Sequence, residues 1–213
     1  MRRPATREAA FCLSWIRKQT SDRYGRGRPL CSIGPLNRRG AAMSDVIRYA
    51  FGKTSLGDVL VATSDKGVVA LEFVDDRGVS EELLRSRIPD ADFVLDQEGL
   101  SSLLSRIRQL VDEPQSGAEI ELDLRGTPYE IRVWTLLREI AVGETTSYGA
   151  LAAKLGTRDA RDVTVAISSN PVAILVPCHR VLKKGGSISG YRWGVRRKRA
   201  LLDREQLALR GRK

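Results

Sequence analysis

From Ile47 onward the chain alternates apolar and polar positions in short runs. "IRYAFGKT", "GDVLVATSD" and "GVVALEFVDD" are rich in β-branched residues and are separated by Gly, Asp and Ser. Runs of this length with turn residues between them predict a small antiparallel meander. The period then lengthens: "SEELLRSRI" and "EGLSSLLSRIRQLVDE" space Leu, Ile and Val along one helical face. "DEPQSGA", residues 112 to 118, is a turn, and "AEIELDL" returns to alternation, which predicts a closing strand.

Beyond Arg125 the pattern is mainly helical. In "TPYEIRVWTLLREI", Thr127 is placed as N-cap, Pro128 at the first helical position and Glu130 three residues after the cap, which predicts a capping box. Ile131, Val133, Trp134, Leu136, Leu137 and Ile140 form its core-facing side. "TTSYGALAAKLG" and "DARDVTVAISSN" predict two short helices joined by a tight turn at Gly156, the outline of a helix-turn-helix. Residues 1–42 follow neither period and are rich in Arg, Gly, Pro and Ser; they read as a disordered basic arm or a mis-assigned start, with Met43 just ahead of the first patterned segment. The expected organisation is α+β: an arm over 1–43, a small mixed domain over 44–124 and a mostly helical domain over 125–210.

Charge sharpens this division. Residues 1–42 carry 10 Lys and Arg against 2 acids, residues 43–124 carry 8 against 17, and residues 125–213 carry 18 against 7. A basic half beside an acidic one suits a polyanionic partner, because clustered Lys and Arg gain by displacing counterions from nucleic acid. A solvated basic face with no partner fits the same composition. No apolar run approaches the roughly 20 residues a membrane span needs, and the first 20 residues lack a continuous apolar core and a small-residue cleavage site. A soluble, cytoplasmic protein is expected. Cys12, Cys31 and Cys178 form no CxxC pair, and His179 is the single histidine. That inventory gives neither a disulfide framework nor a zinc site, so no metal is expected and the cysteine chemistry should be thiol chemistry.

The chemistry concentrates in "SNPVAILVPCHRVLKKGGSISGYRWG", where Cys178 and His179 are adjacent. The proline after "AILV" should redirect the backbone and set Cys178 at the opening of a helical turn, where free N–H groups favour a thiolate. The pair would then supply a nucleophile and a base. Residue type alone also permits a small buried cysteine beside a structural histidine.

"NPVAILVPCHRVL" resembles the active-site signature of the O6-alkylguanine-DNA alkyltransferases. "LSSLLSRIRQL", "IELDLRGTPYEIRVWTLLREIAVGETTSYGALAAKLG" and "GGSISGYRWGVRRKRALLDRE" resemble the same family in order and spacing, from about Val46 to Glu205. The likeness is greatest to the C-terminal part of the bacterial adaptive-response members. It implies a ribonuclease-H-like α/β fold for the first domain and a winged-helix-like fold carrying the helix-turn-helix for the second. The implied function is direct, single-turnover transfer of an alkyl group from O6-alkylguanine, with O4-alkylthymine as a minor substrate, to Cys178.

The resemblance also implies roles. His179 takes the thiol proton through a water, Glu205 orients the imidazole, Asn170 ties the helix-turn-helix to the active-site turn, and the Tyr148 hydroxyl donates to the guanine ring. The carbonyls of Cys178 and Val181 accept from the exocyclic amine, the Ser189 N–H points at O6, and Lys198 favours the thiolate. Arg161 fills the gap left by a flipped nucleotide as the second helix, about 160–169, enters the minor groove of double-stranded DNA. Binding is then nearly sequence-independent, by a monomer, with no cofactor and no membrane.

Two departures stand out. Where relatives carry small residues after the arginine, "RDVTV" places Asp162 and Thr164, and a carboxylate beside phosphates weakens binding unless Arg158 or Arg161 neutralises it. The adaptive-response members also carry a zinc-cysteine domain and a regulator segment; Cys12 and Cys31 stand alone, so repair without transcriptional activation is expected. A non-catalytic lesion sensor is the alternative from another class, opposed by the presence of Cys178, His179, Glu205 and Tyr148. A cysteine hydrolase is opposed by the lack of a separate histidine and of an oxyanion-hole motif.

Overall fold

The computed structural model describes residues 45–210, apart from residues 118 and 158. The basic segment 1–43, with Cys12 and Cys31, lies outside them, as does Arg158. Strands β1 (Asp45–Thr54), β2 (Gly57–Thr63) and β3 (Val68–Val74) form the expected antiparallel meander. The β2–β3 turn closes through Ser64 N–H to the Gly67 carbonyl at 2.9 Å. Gly67 is needed there: its φ is +143°, and a Cβ would lie 2.6 Å from the Glu121 carbonyl oxygen.

Helix α1 (Arg77–Arg87) follows, capped by the Asp76 side chain on Val79 N–H, and α2 (Ser101–Asp112) comes after β4 (Ala91–Leu95). Strand β4 pairs parallel with β1, giving the order β3-β2-β1-β4. This strand was not expected, because its outer position leaves Val94 46% and Leu95 58% exposed and so blurs the alternation that marks a half-buried strand.

The closing strand expected in "AEIELDL" does not form. Only an isolated parallel bridge joins Leu122 to Val68, through Val68 N–H to Glu121 O and Asp123 N–H to Val68 O, both 2.9 Å. The ladder stops because Leu71, further along the same edge, pairs elsewhere. Its N–H donates to Pro171 O at 2.9 Å, and its carbonyl accepts from Ala173 N–H at 2.7 Å. Two distant segments therefore share one strand edge.

The helical half begins with α3 (Pro128–Arg138). The Thr127 hydroxyl accepts from Glu130 N–H at 3.2 Å, and the Glu130 carboxylate accepts from Thr127 N–H at 2.9 Å, so the expected capping box is present. Strand β5 (Thr146–Ser147) leads into α4 (Tyr148–Lys154), and Gly156, at φ +72°, turns the chain toward α5 (Ala160–Ser168). A 3₁₀ turn (Cys178–Arg180), strand β6 (Val181–Leu182) parallel to β5, and α6 (Val195–Arg210) complete the order.

The described residues belong to one compact unit. One face of the large sheet, through Val59, Val61, Leu71 and Phe73, joins Ile107 of α2 and Val133, Trp134, Leu137, Leu151 and Val163 of the helical half in a continuous core. The other face packs Ile47, Tyr49 and Leu60 against Leu84 of α1. Each such fully buried side chain contributes roughly 1.5–3 kcal/mol, which is what holds the site's elements in register. The architecture is α+β, a small sheet with helices.

Trp134 links α3 to α5 by a buried indole N–H to Ala166 carbonyl bond of 2.7 Å. Trp134→Phe keeps most of the apolar volume but removes that bond, leaving the Ala166 carbonyl to the Ser169 hydroxyl, which also donates to it at 3.0 Å. A loss of about 0.5–1.5 kcal/mol is expected in chemical denaturation, whereas unchanged stability would mean that the bond does not hold the two helices together.

Candidate active site

The turn ahead of Cys178 is built around one side chain. Asn170 is 1% exposed, one residue past Ser169, the C-cap of α5. Its amide oxygen accepts from Val172 N–H at 2.9 Å, and its Nδ2 lies 3.2 Å from Val172 O, 3.1 Å from Val176 O and 3.3 Å from Cys178 Sγ. Two N–H groups thus serve three acceptors, and the apolar run wraps the amide. The reversal forces Ile174 to φ +68°, a conformation that β-branched residues rarely adopt. The same segment is anchored on β3 through Leu71, so the sheet and Asn170 together fix where the sulfur lies.

Cys178 is 5% exposed and opens the 3₁₀ turn as expected, but the anticipated thiolate does not follow. Burial pushes the thiol up to about 11, and the Asn170 hydrogen bond and the Lys198 charge offset this only in part. Desolvation outweighs the local donors. The resting group is a thiol.

His179, the next residue, is 1% exposed. Its Nε2 lies 2.8 Å from Glu205 Oε1, and its Nδ1 has no hydrogen-bond partner among the described residues. Burial raises the Glu205 carboxyl, but hydrogen bonds from His179 and Arg180 outweigh it and hold the group down to about 2. An ionised Glu205 accepts the Nε2 proton, which leaves Nδ1 as the basic nitrogen. Burial holds the imidazole below its ordinary value despite Glu205, so it stands neutral at pH 7.

Arg180 was missed in the sequence. Its Nε lies 3.1 and 3.0 Å from the two Glu205 oxygens, its Nη2 2.9 Å from Oε1, and its Nη1 donates to Ile140 O at 2.5 Å. Glu205 also accepts from Gly143 N–H at 3.1 Å. The carboxylate is therefore locked by three partners. The only sequence signal for Arg180 was its place directly after His179.

The remaining expected residues divide into two groups. Tyr148, at the start of α4, lies beside the Cys178 turn because β5 pairs with β6; its hydroxyl is 2.7 Å from Ser189 Oγ. Lys198 is 1% exposed, with Nζ 2.6 Å from Val181 O and 3.3 Å from Ser189 Oγ. Burial lowers its ammonium to about 8. The carbonyls of Val181 and Cys178 already accept one bond each, from Lys198 and from Val181 N–H, and each keeps a second lone pair. It is the hydroxyl of Ser189 that faces Tyr148 and Lys198.

Arg161 stands apart from this cluster. Its side chain is 94% exposed near the start of α5, 3.8 Å from the capping Asp159. Asp162 and Thr164 are also exposed, and the Thr164 hydroxyl turns back to Ala160 O at 2.7 Å.

A family model described as "6-O-methylguanine DNA methyltransferase, DNA binding domain" matches residues 128–207. The "Bifunctional transcriptional activator/DNA repair enzyme Ada" of Escherichia coli (strain K12) is 40% identical over 164 residues, covering 75% of this chain and 45% of that protein. The inducible "Methylated-DNA--protein-cysteine methyltransferase" of Bacillus subtilis (strain 168) is 38% identical over 128 residues, 60% of this chain and 72% of that protein. The crystal structure of Mycobacterium tuberculosis OGT in complex with DNA superposes with a TM-score of 0.64 at 32% identity, covering 76% of this chain and 94% of that one. Against the Escherichia coli protein and the Mycobacterium bovis methyltransferase, the chain spans about half of the relatives' own length, 45% and 54%.

The Glu205 carboxyl falls from its ordinary 4.5 to about 2 on folding. A depressed carboxyl contributes stability that is fully present above pH 4.5 and is lost as the pH falls through 2. Wild type should therefore lose thermal stability steeply between pH 4.5 and 2, and Glu205→Gln, less stable at pH 7, should show a flatter profile there. Parallel profiles for the two proteins would contradict the ionised carboxylate.

Proposed function

Because the chain belongs to the O6-methylguanine DNA methyltransferase family, we propose that it repairs DNA by transferring the alkyl group of O6-alkylguanine, and to a lesser degree of O4-alkylthymine, to its own Cys178. The observation that carries this reading is the buried thiol, held by Asn170, next to an imidazole whose outer nitrogen is bonded to an ionised carboxylate and whose inner nitrogen is free to accept. On this reading residues 44–124 form a ribonuclease-H-like domain, and residues 125–210 a winged-helix-like domain that binds duplex DNA.

In the proposed reaction a water relays the thiol proton to His179 Nδ1, and the Glu205 carboxylate, held in place by Arg180, stabilises the imidazolium that forms. The S–C bond forms as the C–O6 bond breaks. The bonding electron pair returns to the purine, which regains a ring proton to balance the one the thiol lost. The Tyr148 hydroxyl donates to the ring as charge builds there, assisted by Ser189 and Lys198 behind it. The thioether is the end product, so each molecule acts once.

The target carbon is stacked inside a duplex and has to be swung out, at a cost of a few kcal/mol. Arg161, exposed at the start of α5, suits insertion into the stack from the minor groove. Backbone contacts of this kind carry little sequence preference and weaken as salt rises. The protein acts as a monomer in the cytoplasm on this reading.

Mixing the protein with a duplex bearing one O6-methylguanine should repair lesions up to one per protein molecule and then stop. Cys178→Ala should bind the duplex and repair none. Continued turnover, or repair by the variant, would remove Cys178 as the acceptor. Separately, Asp162→Ala should tighten duplex binding about three-fold at fixed salt, since it removes a like charge beside phosphates; weaker binding would show that the carboxylate organises α5 instead.

A further inference from the structure

Glu72 is a carboxylate in an unlikely place. It sits in β3, whose seven residues are all buried, and is itself 4% exposed. A charge there persists only when paired. Two guanidiniums pair it, one near in sequence and one distant: Arg87 of α1 at 2.5 Å and Arg192 at 3.2 Å. Arg87 belongs to the sheet's own helix. Arg192 belongs to the loop between β6 and α6, the one that carries Ser189 to the Tyr148 hydroxyl.

Arg192 continues inward from that pair. Its side chain is 13% exposed, its Nη1 approaches the Asn170 carbonyl at 3.4 Å, and its guanidinium lies over the Trp193 ring, 5.6 Å from the centroid. Trp193 in turn packs edge-on against Tyr191 at 5.2 Å. Glu72 is thus adjacent in sequence to Leu71, which holds the segment before Cys178, and through Arg192 it reaches the loop after it. Further along, Arg197 covers Phe73 of the same strand at 5.1 Å and pairs with Asp75 at 2.7 Å.

We propose that Glu72 is a positioning residue for alkyl transfer: its buried carboxylate fixes Arg192, and Arg192 fixes the loop over residues 183–194 against Asn170 and Tyr148. This rests on the reading of the chain as an alkyltransferase. It gives the first sheet a part in the chemistry although it supplies no reacting group.

Two readouts test it. Hydrogen exchange needs no substrate: Glu72→Gln and Arg192→Met should both lose amide protection over residues 183–194 and keep it in α6, while Arg87→Met, which breaks the other pair, should leave that loop protected. Single-turnover repair adds the kinetic side, since its amplitude counts folded molecules and its rate constant reports geometry. Glu72→Gln and Arg192→Met should slow transfer by about ten-fold or more, as expected for misplaced groups, with full amplitude and with duplex affinity within about two-fold. The double variant should be no slower than either single one, because both remove one interaction. A reduced amplitude with a wild-type rate constant, or a loop equally protected in all three single variants, would overturn the proposal and leave Glu72 a packing residue. If wild type itself transfers nothing, the alkyltransferase reading fails, while the exchange data still decide whether Glu72 holds the loop.

Discussion

The site depends on the outer edge of β3. An edge strand buried under a domain has backbone groups that water cannot reach, and each one left unpaired costs about 1–3 kcal/mol. This fold satisfies them with non-strand segments: residues 121–123 at Val68 and residues 171–173 at Leu71. The second pairing sets the height at which the chain enters the turn to Cys178. Asn170 then sets the path, because its single amide supplies the bonds that the strained "AILV" reversal cannot make with itself. The sulfur is located by backbone pairing first and by side-chain chemistry second.

Burial creates the electrical problem that the rest of the site answers. Burial holds the thiol protonated, lowers the lysine and keeps the histidine neutral. The one group that resists is Glu205, since His179, Arg180 and Gly143 N–H all bind its charged form. That fixed negative charge selects the imidazole tautomer and favours a proton moving onto Nδ1. A buried thiol held in its protonated form has little of the thiolate character that makes a cysteine reactive toward oxidants.

Features within a few residues of one another were legible in the sequence. The meander showed in its period, the capping box in Thr127, Pro128 and Glu130, and the helical turn that opens at Cys178 in the proline before it. Asn170, Tyr148 and Glu205 came from family resemblance, not from spacing. What escaped was set by contacts distant in sequence. "AEIELDL" alternates like a strand but is stopped at one bridge by competition from residues 171–173, and β4 is an outer strand too exposed to alternate clearly. The thiol's upward shift follows from burial that a turn motif does not announce. Glu72 and Arg192 are 120 positions apart and, in sequence, each is one charged residue among many.

The most direct measurement is intact-protein mass followed by peptide mapping after reaction with a stoichiometric duplex carrying one O6-methylguanine. The account predicts a gain of one methylene per protein, confined to the peptide that contains Cys178. No gain with the duplex bound, or a gain on any other residue, would contradict it.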